Sequence, residues 1–268
     1  MKNRFSPARP LKLRGVVRAT RQISVGSTLG FVYSVVANAL PIIQPPTVSP
    51  PIFVKGGTYT GYHLDIDAVG DGRPGVDIRG GAIVRLDDTS VNTDGVLANG
   101  VQVSGSRLSA HPFFPNASND GSYALVVSGS GAKATLGYVY ATTNGDGLVY
   151  EEGAAQKTHG AHGIVAEDGG EVGLTDTTHV YTTGNLASGV LSQGHAAQGE
   201  LAVIRSNGGN RDSTIKTYGV YSVGIESYGH GFKNAQIDVA GFDVATKGDL
   251  SIGAFAHDGG AVRLADSA

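Results

Sequence analysis

The sequence predicts an all-β chain wound as a right-handed parallel β-helix. Three features carry that expectation: an eleven-residue phrase that recurs, a second recurring Gly-Gly element, and a composition hostile to helix. Of 268 residues 41 are Gly, none is Cys or Trp, one is Met, and 16% are charged. Glycine without a Gly-X-Y period excludes collagen, and the regular Val, Ile and Leu content argues against disorder. Glycine also weakens helices, and no apolar stripe of 3.6-residue period runs for any length after residue 40.

The phrase has the form [VI]-x-T-x-G-x-[LY]-[AS]-x-G-[VIA]. It starts at Val91, Val180, Ile215 and Val244, with its threonine at Thr93, Thr182, Thr217 and Thr246. Short β-branched runs punctuated by glycine at a repeating interval mark stacked coils. In each copy the aliphatic residue and the threonine stand two apart, so both point to one face of a strand. The following glycine is expected to bend the chain, with positive φ where the bend is tight. The rest of the phrase then opens a second strand.

The third strand of each coil has its own signature, Gly-Gly-x-aliphatic-x-Leu. It stands at Gly169–Leu174 and Gly259–Leu264, with one extra residue at Gly80–Leu86 and a looser form at Gly129–Leu136. Three strands and three bends make one coil. Coils stack at the strand spacing of about 4.8 Å, which places equivalent side chains above one another. A degenerate phrase reads from Val139 to Gly145, and a partial one lies near Thr158-His-Gly160. The unequal spacing predicts loops of different length inserted at one corner. Leu108–Asp120, with Phe113 and Phe114 between Pro112 and Pro115, reads as a loop whose rings either pack on a neighbouring coil or face a partner.

The organisation expected along the chain is an extended signal peptide over 1–39, a Pro-rich linker over 40–60 and β-helix repeats over 61–268. Lys2, Arg4, Arg9, Lys12, Arg14, Arg18 and Arg21 precede a mostly apolar stretch from Ile23 to Val36, and Ala37-Asn38-Ala39 has the small-x-small form of a signal-peptidase site. Five of the ten prolines fall between Pro41 and Pro51. Removing the seven cations of residues 1–39 from the 20 Lys and Arg leaves 13 basic against 23 acidic residues over 40–268, a net charge of −10. An acidic body disfavours nucleic acid as a partner. Without cysteine there are no disulfides and no thiolate metal sites.

The extended basic head, the cysteine-free body, and the phrases Tyr123–Leu136 and Val180–Gln193 together resemble the passenger domain of an autotransporter of the pertactin kind, a type V secretion protein. The resemblance covers about residues 61–268. It implies export, display at the bacterial cell surface or outer membrane or release outside the cell, and an adhesin-like, virulence-associated contact with host-cell-surface or matrix components, made by a monomer. It also implies translocation through a C-terminal outer-membrane β-barrel, which this chain does not include. With no capping element after Leu264, the sequence reads as the front part of a longer protein or as a truncated frame. The chain also lacks an Arg-Gly-Asp tripeptide.

Two alternatives share the architecture. A polygalacturonase or pectate lyase would place paired acids on one face for general acid/base work. Asp87-Asp88, Asn92-Thr93-Asp94 and Gly229-His230-Gly231 match fragments of the polygalacturonase signature, but in the wrong order and with Thr93 and Asp94 inside the repeat. No acidic cluster beside an arginine suits a calcium-dependent lyase. A phage-tailspike-like β-helix would be trimeric. His159 and His162 are three apart in a glycine-rich bend, and His179, His195, His230 and His257 fall at varied repeat positions, which reads as surface histidine. Ser104-Gly105-Ser106 and Ser128-Gly129-Ser130 read as bends. The sequence therefore predicts no catalytic, cofactor-binding or metal-ligating residues, no cofactor, and a non-enzymatic role.

Overall fold

A computed structural model describes the backbone of residues 33–34, 42–43, 48–152, 155–195, 200–207 and 212–268. It is a parallel β-helix. Strands fall into three parallel sheets of nine, nine and eight strands, and each sheet takes every third strand of the repeating coil in chain order. One coil illustrates the path: Val101–Ser104 in sheet I, Arg107–Ala110 in sheet II, Phe113–Ser118 in sheet III, then Leu125–Ser128 back in sheet I. The shortest coils take 24 or 25 residues, and longer ones 35 or 39.

The repeat has the predicted vertical consequence. Val180, Ile215 and Val244 are in-register neighbours in sheet III, with Ala141 paired to Val180 on the other side. Val91 pairs with Ile66 and with Pro115, and the flanking pairs set Pro115 beside Ala141. One inward file thus runs Ile66, Val91, Pro115, Ala141, Val180, Ile215, Val244, buried except at its last member. The Gly-Gly element supplies a matching file in sheet II, from Val84 through Leu108, Ala134, Val172, Ile204 and Ile237 to Val262. Each buried Ile, Leu or Val side chain contributes roughly 1.5–3 kcal/mol. Beside the aliphatic file runs a second one of Ala68, Thr93, Ala117, Thr143, Thr182, Thr217 and Thr246. Two of its hydroxyls bridge the corner, Thr93 donating to the Ala98 carbonyl (2.8 Å) and Thr143 to that of Ala161 (2.9 Å).

The phrase spans the corner from sheet III to sheet I, and its conformation corrects the expectation about glycine. Positive φ falls on the [LY] residue in every copy, at Leu97 (56°), Leu186 (55°), Tyr221 (56°) and Leu250 (59°), while the phrase glycine has it at Gly219 (157°) and Gly248 (150°) but not at Gly95 and Gly184. Gly95 is needed because there is no room for a side chain. A Cβ there would lie 2.5 Å from the Gly70 carbonyl oxygen of the coil below, and the same collision recurs at Gly184 against Gly145. The corner is also hydrogen-bonded coil to coil. Asp71, Asp120, Asp146 and Asn185 each accept the backbone N–H of the equivalent residue one coil on, at 2.8–3.0 Å. Ser222 and Ser251 donate to the carbonyls of Gly184 and Gly219 below them.

Four further expectations are corrected. Residues 40–60 are not only a linker: Val48–Ser49, Ile52–Lys55 and Thr58–Tyr62 already pair with the next coil. Pro50 and Pro51 stand between strands, where a missing N–H costs no ladder bond. Leu108–Asp120 holds two strands rather than a loop, with Phe113 fully buried and Phe114 half-buried. Inserted segments occupy all three corners rather than one. The degenerate phrase is in register from Ala141, with Thr143 rather than Thr142 in the threonine file. It breaks off at Gly147, gives way to an antiparallel hairpin of Leu148–Glu152 with Ala155–His159, and resumes at Gly160-Ala161-His162-Gly163. The expected signal segment lies outside the described residues apart from Tyr33–Ser34, which pair with Ile52-Phe53.

Candidate binding surface

The outward faces of the sheets decide what the solenoid can do chemically. On sheet I the outward file runs Val126, Val165, Leu191, Glu226, Phe255, and two residues further along each strand a second file runs Glu167, Gln193, Tyr228, His257. Val126, Val165 and Leu191 are buried although they point away from the core, and they cluster with Tyr123. Tyr123 in turn stacks on His159 (ring centroids 4.7 Å) and His162 (5.3 Å). Higher up the file the face opens into a groove of about 390 Å³, bounded by Leu191, Tyr221, Tyr228 and Phe255, with Ser188, Gln193 and Glu226 on its polar side.

Glu226 is the one carboxylate among the described residues of this groove. Both of its oxygens are engaged: Ser188 Oγ donates to Oε2, and His257 Nε2 lies 3.1 Å from Oε1. His257 is sandwiched between Tyr228 (4.5 Å) and Phe255 (4.5 Å), which fixes its ring. His162 closes the lower end, its Nδ1 accepting the Ser188 backbone N–H at 2.8 Å. Burial pushes its pKa down to about 4, with the Glu226 charge acting against that shift. Glu167, below Gln193, is pushed up to about 7 by burial and then by Asp168.

Sheet III carries a different surface. Its lower coils show an amide ladder in which Asn92 donates to Asp67 (3.1 Å), Asn116 to Asn92 (3.4 Å) and Thr142 to Asn116 (2.7 Å). Asn119 donates to Asp94 alongside. Higher up, Tyr140 stacks on Tyr181 (5.1 Å), and the Lys216 ammonium lies over the Tyr181 ring. These groups bond mainly to one another across coils, so they secure the stacking itself.

The polygalacturonase-like fragments are not brought together. Asp87 ends a sheet II strand and pairs with Arg85, Asp88 pairs with His63, and Asn92 and Asp94 belong to the sheet III ladder. His230 sits several coils higher, at the sheet I end, bonded to Gln193. Elsewhere Asp77 pairs with Arg79, and Glu171 with Lys133. No group of three or more His, Asp or Glu that could hold a metal occurs among the described residues. Sequence reasoning placed His159 and His162 in one bend and His179, His195, His230 and His257 at varied repeat positions; His179 lies on sheet III, away from the others. His159, His162, His230 and His257 prove to share the sheet I face or its corners through the contacts above, and His195 acts electrostatically on His230. Only the three-dimensional register could reveal this grouping.

Compared with known proteins, the chain matches no family model, no curated protein and no solved structure.

Proposed function

We propose that this chain is an exported, non-enzymatic passenger that is displayed at the bacterial surface as a rigid rod and contacts host-cell-surface or matrix components, as its resemblance to autotransporter passengers implies. The supporting observation is the distribution of its acids. They are spread over three faces, and several are answered by neighbours, as in Asp77–Arg79, Asp67–Asn92, Glu171–Lys133 and Glu226–His257. A hydrolase of this architecture needs two carboxylates facing one bond at a set separation. The groove on sheet I offers a single one, already engaged on both oxygens.

The test expresses the full-length gene, with whatever lies downstream of codon 268, in a Gram-negative host. Protease-accessible display on intact cells, binding of the purified 268-residue chain to cultured epithelial cells, and no release of reducing ends from polygalacturonate are the expected results. Retention of the protein in the cytoplasm, or release of reducing ends that disappears on Glu226→Gln, would overturn the proposal.

A further inference from the structure

We infer that the sheet I groove binds a neutral glycan and that Tyr221 is its principal contact. This rests on the non-enzymatic contact role proposed above and names the ligand class. The first observation is an exposed aromatic side chain at a corner position that other coils fill with leucine or glycine. Tyr221 is 57% exposed and adopts φ 56°, a left-handed conformation that side chains other than glycine adopt at a cost. The same corner position is glycine in other coils, at Gly72 (φ 64°) and Gly121 (φ 67°), so the fold accepts glycine there. Leu97, Leu186 and Leu250 hold the same φ in their own coils, so the conformation belongs to the corner, and what calls for a use is the choice of tyrosine in this one copy, beside Tyr228 and Phe255. An exposed phenol at the rim of a concave site is such a use.

The second observation is the pairing of ring surface with hydroxyl-binding groups. Tyr221, Tyr228 and Phe255 offer apolar surface for the C–H faces of pyranose rings, while Gln193 Oε1 and the remaining lone pairs of the Glu226 carboxylate, which the buried Ser188 hydroxyl and His257 hold in place, accept sugar hydroxyls. A volume of about 390 Å³ lies in the range of small-ligand sites. Charge selects among glycans. Glu226 lies in the groove, Asp258 lies 3.5 Å from His257 at its edge, and residues 40–268 carry a net −10, so uronates and sulfated sugars are repelled. Glu226 is also held by Ser188 and His257, which makes it a hydrogen-bond acceptor more than a free anion awaiting an ammonium group.

The experiment is calorimetric titration of the 268-residue chain with chito- and cello-oligosaccharides, with polygalacturonate oligomers and spermidine as the acidic and cationic comparisons. Neutral oligomers are expected to bind and the other two are not. Tyr221→Gly is the decisive variant: it removes the ring, relieves the strained φ and keeps a residue native to that column. It should weaken neutral-glycan binding about tenfold or more without lowering the unfolding midpoint, whereas Tyr181→Ala on sheet III leaves binding unchanged. Stronger binding of either charged probe, no binding of any neutral oligomer, or an unchanged affinity in Tyr221→Gly would overturn the inference. If the chain binds cells but no neutral glycan, the glycan assignment fails alone; if it binds neither, the contact role fails with it.

Discussion

Gly224 and Gly253 occupy the same place in successive copies of the phrase, and one alanine substitution at each isolates what stacking contributes. A Cβ on Gly224 would lie 2.5 Å from the Gly253 carbonyl oxygen and 2.5 Å from Val244 Cγ1, both in the next coil. A Cβ on Gly253 would meet nothing within 4 Å. Neither glycine has positive φ, so backbone strain does not separate the two. Gly253→Ala should be neutral or gain up to about 1 kcal/mol through the unfolded chain. Gly224→Ala carries the same gain but must displace backbone, an overpacking cost of about 1–3 kcal/mol or more. The two variants should therefore differ by about 1–3 kcal/mol, or about 2–12 °C in melting midpoint for a chain of this size. Urea and thermal unfolding followed by far-ultraviolet circular dichroism measure the difference directly. Equal midpoints would refute the claim that these glycines are dictated by the coil above them.

Other consequences follow from the same contacts. Phe113→Ala empties a fully buried site and should cost about 3–5 kcal/mol in urea unfolding, whereas Phe114→Ala, half-buried on the outer face, should cost far less. His162 has a folded pKa of about 4 against an ordinary 6.5, so the unfolded chain binds more protons between those values. Its contribution to stability is intact above pH 6.5 and is lost as the pH falls towards 4. In His162→Asn, whose amide oxygen stands in for Nδ1, that acid-side loss should disappear from midpoints measured across pH 4–7. Glu167 acts in the opposite sense. Its pKa is raised to about 7, so its contribution is full below 4.5 and is lost as the pH rises through 7. Glu167→Gln should therefore stabilise the chain at pH 8 relative to pH 4.5.

What could be read from the sequence was whatever the stack forces to repeat. The Val-x-Thr pair fixes which side faces inward, and the four copies placed Val180, Ile215 and Val244 in one file without coordinates. The lower coils were harder, because the file tolerates any side chain of suitable shape. Pro115 stands where valine stands in Val91, and Ala117 where threonine stands in Thr93, so Phe113–Ser118 hid its register behind a loop-like composition. Positive φ was assigned to the phrase glycine because glycine bears it most cheaply; Gly219 and Gly248 do bear it, yet Leu97, Leu186, Tyr221 and Leu250 bear it in every copy. The groove was invisible in sequence for a simple reason. Ser188, Glu226 and His257 come from three coils, and inserted segments of unequal length separate them.

Cysteine pairs introduced into this cysteine-free chain test the stacked register most directly. Lys216 and Ala245 face outward as in-register partners on neighbouring sheet III strands, at the interstrand spacing of about 4.8 Å that a disulfide spans. Lys216 and Lys247 are two residues out of register, at roughly 8 Å, beyond that reach. The Lys216→Cys/Ala245→Cys variant should form an intramolecular disulfide under mild oxidation, and Lys216→Cys/Lys247→Cys should stay reduced. Cross-linking of the second pair in preference to the first would contradict the coil-on-coil alignment from which the core, the glycine columns and the groove all derive.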